Sequence, residues 1–193
     1  TGQPGDPDYP NLANGNSKLT VNDLDTSTNV NFPCFVAGTL IRTRDGLRPV
    51  EGIVAGDEVW TRDNGFRPVR WVGQARVPAR GTMAPVVFAP GTIGNDRELR
   101  VSPQHRMLLT GWPAQLYCGE EEILVAAIHL LRGDAIRQVE GGTVTYGHLL
   151  LDAHEVLEAD GAWSESLYLG DATRDRLPDA ALAEIATLFP DLD

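Results

Sequence analysis

What this sequence lacks narrows the field first. No apolar run approaches the ~18 residues of a membrane-spanning helix, and no basic stretch leads into an apolar one as in a secretory leader; neither a membrane association nor a signal peptide is expected within these residues. Basic charge is scarce: 16 Lys and Arg face 27 Asp and Glu, a net charge of −11. Nor do the cations form a stripe, which disfavours nucleic acid as a partner. Cysteine is scarcer still. Cys34 and Cys118 alone cannot make a disulfide scaffold, and Cys118 reads as structural, a buried thiol or half of a single bridge. No EF-hand or nonapeptide spacing points to calcium. No His-Glu-x-x-His element is present, and no repeat of fixed period.

What is there divides into three parts. Residues 1–33 are rich in Gly, Pro, Asn, Asp, Ser and Thr and poor in large apolar side chains, the composition of a flanking linker. From Cys34 the pattern becomes short apolar runs broken by turns. Strands are expected at Thr39–Thr43, Glu58–Thr61, Val69–Val72, Ala84–Phe88, Glu98–Val101, Arg106–Leu109, Ala135–Val139, Val144–Leu151 and Glu155–Ala159. Asp45-Gly46 and Asp63-Asn64-Gly65 are hairpin turn signals between them. Strands at such spacing, in a chain that is 42 % apolar, predict one all-β domain over 34–173. Ile123–Leu131 is apolar on too many sides for its period to separate strand from helical turn. Over 174–193, Ala181, Leu182, Ile185, Leu188 and Phe189 form an amphipathic stripe, and a C-terminal α-helix is expected there. The acidic, linker-like flanks favour a secreted, extracellular precursor.

Chemistry gathers around the start of the β domain. A thiol at a domain's first residue is placed to attack the carbonyl just before it. Resonance protects that amide, so attack needs a base to make thiolate, donors for the oxyanion and an acid for the departing amine. Ser102-Pro103-Gln104-His105 offers a hydroxyl and an imidazole on a turn between strands. Further on, His148, Asp152 and His154 share one face of a strand of period two, polar groups that are costly to bury without partners. His129, inside an apolar run, reads as structural. Glu165 and Ser166 read equally as turn caps or as support for the site.

The ordered blocks resemble the Hint (Hedgehog/intein) superfamily. Cys34-Phe35-Val36-Ala37-Gly38-Thr39 is similar to its opening block, with the nucleophile first. Val50 to Val59, containing Gly56-Asp57-Glu58-Val59, resembles the Gly-Asp-x-Val turn. Ser102-Pro103-Gln104-His105 resembles the Thr-x-x-His block with Ser for Thr, and Tyr146 to His154 the later block that ends in histidine. Arg70-Trp71-Val72-Gly73, His105 to Leu109 and Ala159-Asp160-Gly161 are similar to the bacterial intein-like branch. The resemblance implies a horseshoe of short strands and an N-to-S acyl shift at Pro33–Cys34. Cys34 would attack Pro33, His105 would protonate the leaving amine and Ser102 would hold the peptide, with His154, and Asp152 or His148, assisting.

Water, or an amine or thiol, would resolve the thioester and release the N-terminal flank, the domain's own partner. The chemistry requires no cofactor or metal, and a monomer suffices. Splicing inteins end in His-Asn; the last asparagine in this sequence is Asn95, so cleavage without splicing is expected. Gly147 stands where inteins often carry Asp, which leaves Asp152 as the candidate carboxylate. The ring of Pro33 should slow attack on its own carbonyl. Two rivals stand beside this reading: a catalytically inactive Hint-like binding or maturation module, and a metal hydrolase built on His105, His148 and His154.

Overall fold

Turn chemistry sets the hairpins. In this computed structural model, which describes residues 33–111, 114–116 and 119–167, strands β2 (Leu40–Thr43) and β3 (Gly46–Pro49) close through Arg44-Asp45. Strands β4 (Glu58–Thr61) and β5 (Gly65–Pro68) close through three residues, with Gly65 at φ 68°. Each turn is tied by the threonine before it: Thr43 Oγ1 and Thr61 Oγ1 donate to the carbonyls of Gly46 and Gly65, both at 2.7 Å. Strands β13 (Val156–Ala159) and β14 (Ala162–Glu165) turn through Asp160-Gly161, at φ 48° and 85°. Two successive left-handed residues are what the tightest hairpin turn demands.

Among the described residues the strands form two antiparallel sheets. The first contains β1 (Phe35–Val36), β6 (Trp71–Pro78), β7 (Val86–Phe88), β8 (Leu99–Val101), β11 (Ile136–Gln138) and β12 (Thr143–Leu150), in the order β11-β7-β8-β1-β12-β6. The second contains β9 (Arg106–Thr110) and β10 (Glu122–Ala126) and runs β10-β9-β14-β13-β2-β4-β5, with β3 on β2. The chain passes repeatedly between sheets: from β1 to β2, β5 to β6, β8 to β9, β10 to β11 and β12 to β13. Apolar side chains from both fill one core, including Phe35, Ile41, Val50, Val59, Phe88, Leu99, Met107, Leu149 and Leu157. A second apolar cluster holds Cys34, Val77, Ala79, Val144, Tyr146, Leu150 and Leu167.

The all-β expectation holds. The ambiguous run at 123–131 resolves into both alternatives, β10 followed by a 3-10 turn at Ala127–Leu130. Val69–Val72 is not one strand: β5 ends at Pro68 and β6 begins at Trp71, the break carrying the chain from one sheet to the other. The C-terminal helix expected over 174–193, the linker residues before Pro33, and Cys118 lie outside the described residues.

Candidate active site

Register builds the site. Strand β1 is two residues long, yet it pairs on both sides: Phe35 lies opposite Gly147 of β12 and opposite Val101 of β8. Both pairings are antiparallel, so one step back from Phe35 is one step forward on each neighbour. Cys34 therefore falls level with His148 on one side and Ser102 on the other. Side chains level across adjacent strands share a face, and the three converge.

The contacts follow. Ser102 Oγ accepts the Cys34 N–H at 3.0 Å, and the Ser102 N–H donates to the Cys34 carbonyl at 2.9 Å. His148 Nε2 lies 3.4 Å from Cys34 Sγ, and His148 Nδ1 lies 3.3 Å from the Pro33 carbonyl oxygen. A carbonyl can only accept, so Nδ1 carries the proton. In the neutral ring Nε2 is then the acceptor, facing the thiol. One imidazole thus bridges nucleophile and target carbonyl. Gly73 pairs with His148 across β6 and β12. The Trp71 ring lies over Gly73, where an added Cβ would sit 2.1 Å from its Cη2. Trp71 in turn packs on the apolar cluster around Cys34.

His105 arrives by a different route. The Ser102–His105 turn is closed by the His105 N–H to the Ser102 carbonyl at 3.1 Å, and leads directly from β8 into β9. It carries the imidazole under Phe35, edge to face with ring centroids 4.5 Å apart. His105 is fully buried, and neither ring nitrogen has a hydrogen-bond partner. A buried orphan of this kind calls for a specific reason; a partner that appears only during reaction is one.

Burial dominates the electrostatics. It pushes the Cys34 thiol well above the ordinary thiol range, against the opposing pull of the Ser102 hydrogen bond. It pushes His148 down to about 4, opposed by the Pro33 backbone and reinforced by His105. His105 is also driven down to about 4, chiefly by burial and against the pull of the Glu165 carboxylate and of the Cys34 and Glu165 backbones. At neutral pH the resting site holds a protonated thiol between neutral imidazoles. Such a site suppresses adventitious thiolate chemistry.

The other expected residues lie elsewhere. Strand β12 ends at Leu150, so the alternation that would align Asp152 and His154 with His148 stops short of both. Asp152 is exposed, and its two oxygens take Arg70 Nε and Nη2 at 2.7 and 2.8 Å. It lines an open pocket with Asn64, Arg67, Leu151, Ala153 and Glu155. His154 Nε2 lies 3.2 Å from Glu165 Oε2. The structure thus joins Cys34, Ser102 and His148 at the Pro33 carbonyl, with His105 beneath, and sets Asp152 apart. Glu165, undecided from sequence, is buried beside His105; the only signal for it was a polar triplet, Ser164-Glu165-Ser166, in a strand otherwise built for a core. Among the described residues no three His, Cys, Asp or Glu side chains are grouped to hold a metal ion.

No curated protein matches the chain. Solved structures similar to it include the bacterial intein-like domain from Clostridium thermocellum, at 16 % identity over 69 % of this chain and 97 % of that one, TM-score 0.49. The AceL NrdHF class 3 split intein is 15 % identical over 70 % of this chain and 99 % of its own, TM-score 0.47. The gp41-1 intein is 13 % identical over 68 % and 97 %, TM-score 0.44. The Hint domain family profile matches residues 33–171, which begins one residue before the buried thiol and spans both sheets: this chain belongs to the Hint domain family.

Proposed function

We propose that the domain cleaves its own backbone at Pro33–Cys34 through a thioester. The observation that carries this is the single imidazole of His148, with Nε2 at 3.4 Å from Cys34 Sγ and Nδ1 at 3.3 Å from the Pro33 oxygen. The thiol proton passes to His148 Nε2 as Sγ bonds to the Pro33 carbonyl carbon. Negative charge grows on the Pro33 oxygen, where the Nδ1–H of the now cationic ring stabilises it. Ser102 Oγ holds the Cys34 N–H throughout. The proton that His148 took from the thiol passes to His105, which as an imidazolium gives it to the Cys34 nitrogen, and the Pro33–Cys34 C–N bond breaks. The products are a thioester from Pro33 to Sγ and an amine on Cys34. Water, an amine or a thiol attacks the thioester and releases everything before Cys34.

Intact mass of the purified chain, with and without dithiothreitol and beside Cys34→Ala, tests the reading. Scission between Pro33 and Cys34 that thiol accelerates and Cys34→Ala abolishes is the expected result. If the wild-type chain stays whole at every pH and thiol concentration, the inactive binding-module reading takes its place. Pro33→Ala refines the result: relieving the ring beside the attacked carbonyl is expected to speed scission, and an unchanged rate removes Pro33 as the brake.

A further inference from the structure

Glu165 takes no part in the steps above, yet its placement is unusual. It ends β14 with 7 % of its surface exposed. Its Oε1 accepts the N–H of Arg106, the residue after His105, at 3.0 Å, and its Oε2 lies 3.2 Å from His154 Nε2. Among the described residues no lysine or arginine pairs with it; the Arg106 side chain is exposed, and only its backbone donates to Glu165. The neighbouring carboxylate, Glu155, faces the other way, both its oxygens 3.0 Å from Asn64 Nδ2. Across β13, Glu165 stands opposite the apolar Val156. The titratable groups facing Glu165 are therefore His105 and His154.

A carboxylate buried without a permanent cation is costly. The cost is recovered if a positive charge forms beside it when needed. His105 is such a group, since a neutral imidazole cannot give the departing amine its proton and stay neutral. We infer that Glu165 is a positioning residue for His105: through the Arg106 N–H it fixes the turn that carries the ring, and its charge stabilises the ring when it bears the proton bound for the Cys34 nitrogen. This rests on the Pro33–Cys34 cleavage reading. The proton balance closes within the site. The thiol proton goes to His148, from there to His105 and finally to the amine, so both rings end neutral, and no redox partner is involved. His154 supports Glu165 from the solvent side.

Two readouts separate this from a structural role. In a Cys34→Ala background, which cannot cleave, imidazole NMR reports the His105 titration midpoint directly. Adding Glu165→Gln, which keeps the shape and removes the charge, is expected to lower that midpoint by about one unit. With Cys34 intact, Glu165→Gln is expected to slow single-turnover release at least about tenfold, while Glu165→Asp recovers part of the rate. A wild-type chain that cleaves, with a His105 midpoint indifferent to Glu165→Gln, overturns the assignment. So does a Gln variant that cleaves at the wild-type rate. A wild-type chain that never cleaves defeats the cleavage reading itself, and this role falls with it. Should Glu165→Gln not fold, Glu165→Asp gives the same NMR readout through a charge withdrawn by one methylene, and an unmoved midpoint there is equally fatal.

Discussion

Ser102 and Cys34 hold each other by two hydrogen bonds, the hydroxyl accepting the Cys34 N–H at 3.0 Å and the Ser102 N–H reaching the Cys34 carbonyl at 2.9 Å. The second is a backbone contact that any residue at 102 would make. The first belongs to the side chain, and it fixes the plane of the peptide to be broken. Ser102→Ala leaves the Cys34 N–H buried without that acceptor, a loss of about 1–3 kcal/mol in stability. Misorienting the reacting group is expected to slow scission by about 100-fold. Ser102→Thr keeps the oxygen and most of the rate. Intact-mass time courses and urea unfolding of the three proteins check both effects; an alanine variant that cleaves like wild type removes Ser102 from the mechanism.

His105 and His148 make stability depend on pH in a defined direction. Burial holds both at about 4, against an ordinary value of 6.5. Between those values the unfolded chain binds more protons than the folded one, so stability rises with pH. The full contribution is present above about 6.5 and is lost as pH falls toward 4, on the order of 3 kcal/mol for each ring. Urea midpoints of Cys34→Ala are expected to drop steeply across that window. His148→Gln in the same background is expected to flatten the drop, because only His105 then remains to be charged. A profile that His148→Gln leaves unchanged would show that other groups carry the acid sensitivity.

Local chemistry was legible in the sequence; convergence was not. Hairpins such as β4–β5 follow from turn residues next to alternating apolar ones, and Glu58–Thr61 was expected with the bounds it has. Cys34, Ser102 and His105 are legible in the sequence as a thiol, a hydroxyl and an imidazole next to strand ends. The bridge from His148 to Cys34 spans 114 positions, and it depends on a two-residue strand that no period can reveal. Asp152 shows the complementary case: period-two alternation carried past Leu150 puts it on the face of His148, but β12 ends at Leu150.

Asp152 gives the simplest test of that correction. Its carboxylate is more than half exposed and paired with an Arg70 that is nearly as exposed, at 57 % and 47 %. Solvent screens such a pair, so it contributes little to stability. Asp152→Asn is expected to leave the scission rate unchanged and barely move the unfolding midpoint. Loss of scission in a folded Asp152→Asn protein would return this carboxylate to the site.

Gly147 shows how packing places the base. It precedes His148 on β12 and lies opposite Phe35, so any shift at this point alters the approach of the imidazole to Cys34. A Cβ at 147 would stand 3.1 and 3.3 Å from the two methyls of Val50, which is itself buried in the main core. An aspartate of the kind the intein resemblance suggested would require Val50 to give way by a few tenths of an ångström. Overpacking by one methyl costs about 1–3 kcal/mol. Displacing His148 by a fraction of an ångström is expected to slow scission by about tenfold or more. Val50→Ala opens space on the other side, so the pair should not be additive. Gly147→Ala with Val50→Ala is expected to recover scission relative to Gly147→Ala alone, even though the cavity opposite leaves stability low. If the double variant cleaves as slowly as Gly147→Ala, the methyl acts on the backbone of β12 and not through Val50. If Gly147→Ala alone cleaves normally, the His148–Cys34 distance is not governed by this contact.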